Sequence, residues 1–365
     1  MARTVVGKIL ETGPESDRFE DTPHPRENYN FFGHVEAEKN LLLSYLSGRL
    51  PQAIIIGGPP GTGKATLAWR LARFLLANPA PHACEPQLDL FVPPSHPVSH
   101  QITAMAHPDL RLLRREWNPE KKRYFTEIQI DDVRRTIHMF QQAAGQGGYR
   151  ICILDCAEDL NQSSANALLK LIEEPPPRSL FLIVAHRPAR ILPTLRSRCQ
   201  KILLKPLAAA DIRAIVAALG PPWSCFEDAV LDSAIARAQG SLHNALRLLS
   251  PEGREFDTDL SDMLNSLPQI DWSRVHALAG RIAAKNNSKD YETMLAMIEN
   301  WLDARVRLGA QVLEGKCAAR LAPYADVWEK LGEASREAEI LNLDKRSLVL
   351  SIFTDLAAAV QASSF

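Results

Sequence analysis

The run QAIIIGGPPGTGKATLAWRLARFLL, Gln52 to Leu76, constrains this chain more than any other stretch. It begins as a short apolar run stopped by glycine, the pattern of a buried strand. It ends as an amphipathic stretch, Lys64 to Leu76, rich in helix formers. Strand, glycine-rich loop and helix in this order make a cradle whose backbone N–H groups and helix start attract an anion. The pattern G-x-x-x-x-G-K-[ST] marks such loops when they grip nucleotide phosphates. The candidate nucleotide-binding residues are Gly58, Gly61, Thr62, Gly63, Lys64, Ala65 and Thr66, with Lys64 expected to reach the β and γ phosphates. One group is missing. The hydroxyl that should follow the lysine and help hold Mg²⁺ is replaced by the methyl of Ala65.

The rest of the first half alternates strands with helices. RICILD (Arg150–Asp155) reads as a buried strand ending in a carboxylate, which adds Asp155 to the candidate site. SLFLIVA (Ser179–Ala185) and KILLKPL (Lys201–Leu207) read as two more strands. Helices are predicted over EAEKNLLLSYLSG (Glu36–Gly48), over VRRTIHMFQQAA with Asp131 or Asp132 as its cap, and over ANALLKLIEE with Ser163 or Ser164 at its start. Pro175-Pro176-Pro177 must end the last of these. LRLLRREW and RYFTEIQI flank Asn118–Lys122 as a hairpin, and the Pro- and His-rich residues 79–106 read as an irregular insertion. This alternation implies a largely parallel sheet covered on both faces. After Pro206 no strand pattern recurs. The expected organisation is a disordered leader over 1–24, an α/β domain over 25–205, a small helical lid over 206–252 and an all-helical domain over 253–365.

Lys and Arg number 42 against 43 Asp and Glu, so bulk charge selects no partner. A nucleic-acid contact would need a local patch, and residues 111–123 hold six basic side chains against two acidic ones, beside Trp117 and Tyr124. That stretch reads either as a phosphate contact or as a solvated hairpin face. Six scattered cysteines without a repeated C-x-x-C suit reduced thiols in the cytoplasm. No apolar run reaches membrane-spanning length and no signal peptide is expected. Cys84, His96 and His100 have metal-binding atom types but fit no standard spacing, so no metal site is assigned. Trp301 and Trp328 read as core or interface; His34 and His138 are unremarkable.

The segment LDCAEDLNQSSANALLKLIEEPPPRSLFLIVAHRPARILPTLRSRCQ resembles the core of bacterial clamp-loader subunits, AAA+ proteins that place a ring-shaped sliding clamp on primed DNA. The marks are Asn166–Lys170, Glu173–Pro176, Leu192-Pro193-Thr194, Ser197-Arg198-Cys199, His107–Leu110 and Ile128–Arg135, with a weaker match at Leu341–Phe353. The resemblance implies an AAA+ nucleotide-type domain, a lid and a C-terminal collar that holds the ring together. It also implies motor subunits of the gamma/tau type and a delta subunit as partners, the clamp and primer-template DNA as targets of the complex, and residence in the cytoplasm at the nucleoid.

Three departures bear on activity. Motor subunits of the family carry a hydroxyl, a water-activating Glu and a sensor Arg where this chain has Ala65, Cys156 and, by the resemblance, His243. A thiol of ordinary pKa about 8.5 does not replace that Glu, and Glu158 is not expected to fold back to the site. The four-cysteine zinc module of many relatives is missing. These losses imply a subunit of the DNA polymerase III assembly that does not hydrolyse ATP, requires no cofactor and retains at most weak ATP or ADP binding. The resemblance assigns Arg198 of Ser197-Arg198-Cys199 as an arginine finger acting in trans on a neighbour's ATP site. The alternatives are a working AAA+ motor using unusual residues, and a stand-alone DNA-binding protein.

Overall fold

The first strand, Ala53–Gly57 (β1), lies inside a parallel sheet completed by Leu110–Leu113 (β2), Arg150–Leu154 (β5), Ser179–Ala185 (β6) and Gln200–Leu203 (β7). Trp117–Asn118 (β3) and Arg123–Tyr124 (β4) form a separate antiparallel hairpin. The sheet order is β2-β5-β6-β1-β7. This computed structural model describes residues 15–80, 88–142, 145, 148–284, 288–312, 321–331 and 344–363. The chain divides into two compact units, Met1–Leu249 and Ser250–Phe365.

Every residue of β1, β5 and β6 is buried, which is why these strands read as unbroken apolar runs. Alternate side chains feed opposite faces. Ile54, Ile56, Ile151, Ile153, Leu182 and Val184 meet helices Val35–Leu46 (α1), Lys64–Ala77 (α2) and Pro97–Thr103 (α3). Ile55, Cys152, Leu154, Phe181 and Ile183 meet Ile130–Gln141 (α4) and Gln162–Glu173 (α5) on the other face. Phe140 of α4 stacks on Phe181 with ring centroids 4.8 Å apart.

Four details differ from the sequence reading. LRLL joins the main sheet as β2, paired in parallel with β5, and only the residues after it form the hairpin. The insertion contains α3, whose Val98 and Ile102 enter the core beside Leu90 and Val92. Gln129 precedes α4 with no side-chain cap, while Asp131 and Asp132 occupy its first turn, where carboxylates favour the helix dipole. Asn161, not a serine, caps α5 by accepting from Ser164 N at 2.8 Å.

Residues 15–24 are a second-order correction to the expected loose leader. Asp17, 3% exposed, lies 2.9 Å from His24 Nε2 and also pairs with Arg114. Glu15 bonds to Arg26 and Arg114. Phe19 packs 5.9 Å from Trp223 and 5.0 Å from His243, and Trp223 Nε1 donates to the Asp21 carbonyl at 2.9 Å. Ion pairs and carbonyl contacts, not an apolar periodicity, fix this segment. Residues 1–14 of that leader lie outside the described residues.

Beyond the sheet, Pro193–Arg196 (α6) leads into β7, and Ala209–Leu219 (α7), Asp228–Arg237 (α8) and Leu242–Leu249 (α9) close around their own apolar core. The second unit consists of Pro251–Asn265 (α10), Trp272–Ala283 (α11), Ser288–Val312 (α12), residues 321–331 (α13) and Lys345–Ser363 (α14). Tyr324, Met294, Ile298 and Phe353 lie in its core. Trp301 packs against that core, and its ring sits 6.3 Å from Tyr324. Trp328 is 40% exposed. Among the described residues, the second unit has no strand, and no helix is long and apolar enough to cross a membrane.

Candidate functional site

The sheet order sends the chain from β1 to the far edge and back across to β7, so β1 is flanked by β6 and β7. Crevices at the carboxyl ends of strands beside such a crossover are where open α/β sheets take ligands. The glycine loop follows β1 there. Gly58, Gly61 and Gly63 adopt φ of 144°, 74° and 87°, conformations that a side chain would strain. Gly63 leads directly into α2, so the first N–H groups of that helix face the loop.

The loop is closed on itself. Thr62 Oγ1 donates to the Pro59 carbonyl at 2.9 Å, and Lys64 Nζ bonds to the same oxygen. Ser241 Oγ donates to the Pro60 carbonyl at 2.9 Å, and Leu242 N donates to Gly61 O at 2.9 Å. The start of α9 is therefore docked on the loop. A Cβ at Gly61 would sit 2.5 Å from His243 N. His34 Nε2 lies 3.1 Å from the Thr62 carbonyl, so a histidine unremarkable in sequence lines this loop. Ala65 turns its methyl onto the apolar core. Thr66 carries a hydroxyl one residue late, about 100° further round the helix than the position it would replace.

Charge is arranged around Lys64. Burial pushes its ammonium down to about 8, against the pull of Asp155 and Glu158. Burial also raises the Asp155 carboxyl to about 7; Asp17 and Asp159 add to the rise, and Lys64 and Arg114 oppose it. Part of Asp155 remains at the surface, but the groups packed round its carboxylate dominate. The Cys156 thiol is driven far up by burial and by Asp159 and Glu158, so it is no base near neutrality. His186, just after β6, is lowered to about 4 by burial and by Lys64, which leaves it neutral at pH 7.

Glu158 departs from expectation. Cys156 takes a left-handed φ of 65°, uncommon without glycine. The chain turns back there, and the Glu158 carboxylate accepts from Arg187 N and from Cys156 Sγ, the latter at 3.4 Å. It thus lies in the same electrostatic field as Lys64.

The Ser197-Arg198-Cys199 motif sits elsewhere. β1 and β7 pair in parallel, with Ile54 opposite Gln200 and Gly57 opposite Leu203. Gly58 follows the carboxyl end of β1, and Arg198 precedes the amino end of β7, so the sheet separates them by roughly 10 Å or more along the strands. Ser197 Oγ donates to the Thr194 carbonyl at 3.0 Å, and the buried Cys199 Sγ donates to Leu195 O at 3.1 Å. Of the two flanking residues, Cys199 is buried and Ser197 is exposed. Arg198 is left 42% exposed at its side chain.

The basic stretch is partly spent inside the fold. Arg114 pairs with Asp17 and Glu15, and Arg115 with Asp159 at 2.8 Å. Lys121, Lys122 and Arg123 are exposed at the hairpin turn, beside Trp117 and Tyr124, whose rings meet at 5.1 Å. Among the described residues, no group of His, Cys, Asp and Glu could hold a metal ion. Cys84 lies outside the described residues, and His96 caps α3 by accepting from Val98 N.

Known proteins resemble this chain over the same elements. Residues 33–208 match the family described as DNA polymerase III, delta subunit. The chain is 30% identical over 305 residues to DNA polymerase III subunit delta' of Pseudomonas aeruginosa, spanning 82% of this chain and 85% of that protein. It is 32% identical over 238 residues to subunit delta' of Escherichia coli K12, spanning 64% of this chain and 65% of that protein. DNA polymerase III subunit gamma/tau of Mycobacterium tuberculosis is 29% identical over 225 residues, 59% of this chain and 35% of the relative.

Proposed function

This chain belongs to the family of DNA polymerase III delta' subunits, and we propose that it is the non-hydrolysing subunit of a replicative clamp loader. In this reading it assembles with gamma/tau-type motor subunits and a delta subunit in the cytoplasm. It supplies Arg198 in trans, so that a neighbour's ATP hydrolysis drives loading of a sliding clamp on primed DNA. The observation that supports it is an opposition. Arg198 is exposed at the amino end of the sheet, while the chain's own phosphate loop lies at the carboxyl end and lacks the Mg²⁺-holding hydroxyl. A finger at one end and a site without its chemistry at the other suit a donor subunit.

The loop and Lys64 still favour an anion, so weak ATP or ADP binding without hydrolysis belongs to this reading. Binding should depend on pH. A phosphate prefers charged Lys64, whose ammonium in the free protein titrates near 8. Affinity for ADP is expected to ease between pH 6.5 and 7.5 as Asp155 ionises beside Lys64, and to fall further above pH 8, approaching about tenfold per pH unit. Calorimetric titration across that range measures it. An affinity unchanged to pH 9.5 would mean that Lys64 does not touch the nucleotide.

A second reading, a working ATPase, draws on Glu158, whose carboxylate returns to the field of Lys64. The two readings part on turnover. The purified chain, with Mg²⁺, ATP and primed DNA, is expected to release phosphate no faster than its Lys64→Ala variant. Losing a positioned base alone removes about 10²–10⁴-fold in rate. Turnover that Lys64→Ala abolishes would select the motor reading, and Glu158→Gln would then identify its base.

A further inference from the structure

Arg198 is held by its own chain. Its Nη2 lies 2.7 Å from Glu173 Oε1. Its Nη1 donates to the Thr194 carbonyl at 2.9 Å and approaches Ser197 Oγ at 3.4 Å. Glu173 is the last residue of α5, followed by the cap residue Glu174 and the proline stop, and Thr194 belongs to α6. Two helix ends therefore grip one guanidinium. The Nε–H makes no hydrogen bond among the described residues. A planar guanidinium carries five N–H donors, so held in this way it keeps donors for a phosphate.

We propose that Glu173 is the positioning residue of Arg198: its carboxylate holds the guanidinium in place with donors to spare, ready for a phosphate on a neighbouring subunit. The proposal rests on the reading of Arg198 as a trans-acting finger and adds a second side chain to it. Without a tether, a long arginine side chain half in water samples many rotamers. The Thr194 carbonyl alone leaves rotation about one hydrogen bond. A carboxylate is also the stronger partner, because both members are charged. Glu173 is itself exposed to 38% at its side chain, so the pair contributes little to the fold. Its effect would appear in the reaction.

Misplacing a reacting group by about 1 Å costs as much as 10²-fold in rate. Partial loss of the tether should cost less. The experiment uses reconstituted clamp loaders in which the motor subunits' own finger arginines are replaced, so that only the ATP site facing Arg198 can turn over. Unaltered complex, E173Q, R198A and the double variant are compared for DNA-stimulated kcat and KM, after gel filtration has established equal assembly. E173Q is expected to lower kcat about three- to tenfold while KM for ATP moves less than twofold. In the R198A background E173Q should add nothing. A full-speed E173Q complex beside a crippled R198A complex would overturn the positioning role and leave the finger reading standing. No effect of R198A would remove the finger reading and this proposal with it. An E173Q effect that persists without Arg198, or an E173Q complex faster than the unaltered one, would also refute it.

Discussion

Arg198→Ala is expected to leave the subunit folded and able to join its complex, yet to slow the ATP site that it faces by roughly 10³–10⁵-fold. The small structural cost follows from the surroundings. The side chain is 42% exposed, and its ion pair with Glu173 is an exposed one, of the kind worth at most about 1 kcal/mol. The large catalytic cost follows from where charge develops. A guanidinium beside a transferring phosphoryl group acts in a site emptied of water, where a positive fork is far more effective than in solvent. Arg198→Lys should rescue little, because an ammonium cannot reproduce the planar double contact. Total ATPase of a loader with several sites should fall only in part, and clamp loading should fall with it. The comparison is DNA-stimulated ATPase and clamp loading by complexes carrying either form. Equal rates, with assembly intact and the other finger sites working, would reduce Arg198 to a surface charge.

The second large effect concerns stability. Asp17→Ala is expected to destabilise the first unit by about 3–5 kcal/mol, the usual consequence of removing one partner from a buried charge pair. Asp17 and His24 are almost wholly buried against each other, and Arg114 completes the group. Deleting the carboxylate strips the buried His24 Nε2 of its ion-pair partner and leaves Arg114 with Glu15 alone. The unfolding midpoint of this unit should drop by on the order of 10 °C. Glu36→Ala, which removes an exposed pair with Lys39 at 3.8 Å, should change it by no more than about 0.5 kcal/mol. Acid provides an independent check. Burial raises the Asp17 carboxyl, but His24 and Arg114 together hold it below its usual value. A depressed acid contributes its stability above the unfolded value, about 4, and loses it as pH falls through the lower folded value. Unaltered protein and Asp17→Ala should therefore converge in stability as pH falls below that unfolded value. A midpoint that survives the substitution at pH 7 would show that residues 15–24 pack without contributing.

Much of the first unit was legible because its strands are apolar over their whole length. Ala53–Gly57 and Ser179–Ala185 carry a signal that needs no partner to be read, and a glycine loop after the first is a local pattern. What escaped was long-range or polar. Leu110–Leu113 reads as half of a hairpin because its true neighbour, Arg150–Leu154, comes only after an intervening helix. Asp17, Glu15 and Arg114 are anchored by charge across about a hundred residues, and charge has no periodicity to betray it. Glu158 reads as out of reach in sequence because a left-handed cysteine is not a residue-type signal. His34 carries no motif, and Glu173, although it opens the Glu173–Pro176 mark, carries no sign of its partner; only the fold brings them to Thr62 and Arg198.

The two ends of the β1–β7 pair have a consequence for assembly. A subunit whose giving end and receiving end lie on opposite sides joins its neighbours head to tail, and such contacts repeat without limit until something interrupts them. With Arg198 at one end and Ala65 in the loop at the other, the chain proposed here as a finger donor passes a signal on without taking one up. On the proposed function, it acts as a punctuation mark in a ring of otherwise similar subunits. In that reading it fixes where the series of working sites begins, and it gives the ring a direction of reading that identical members could not supply.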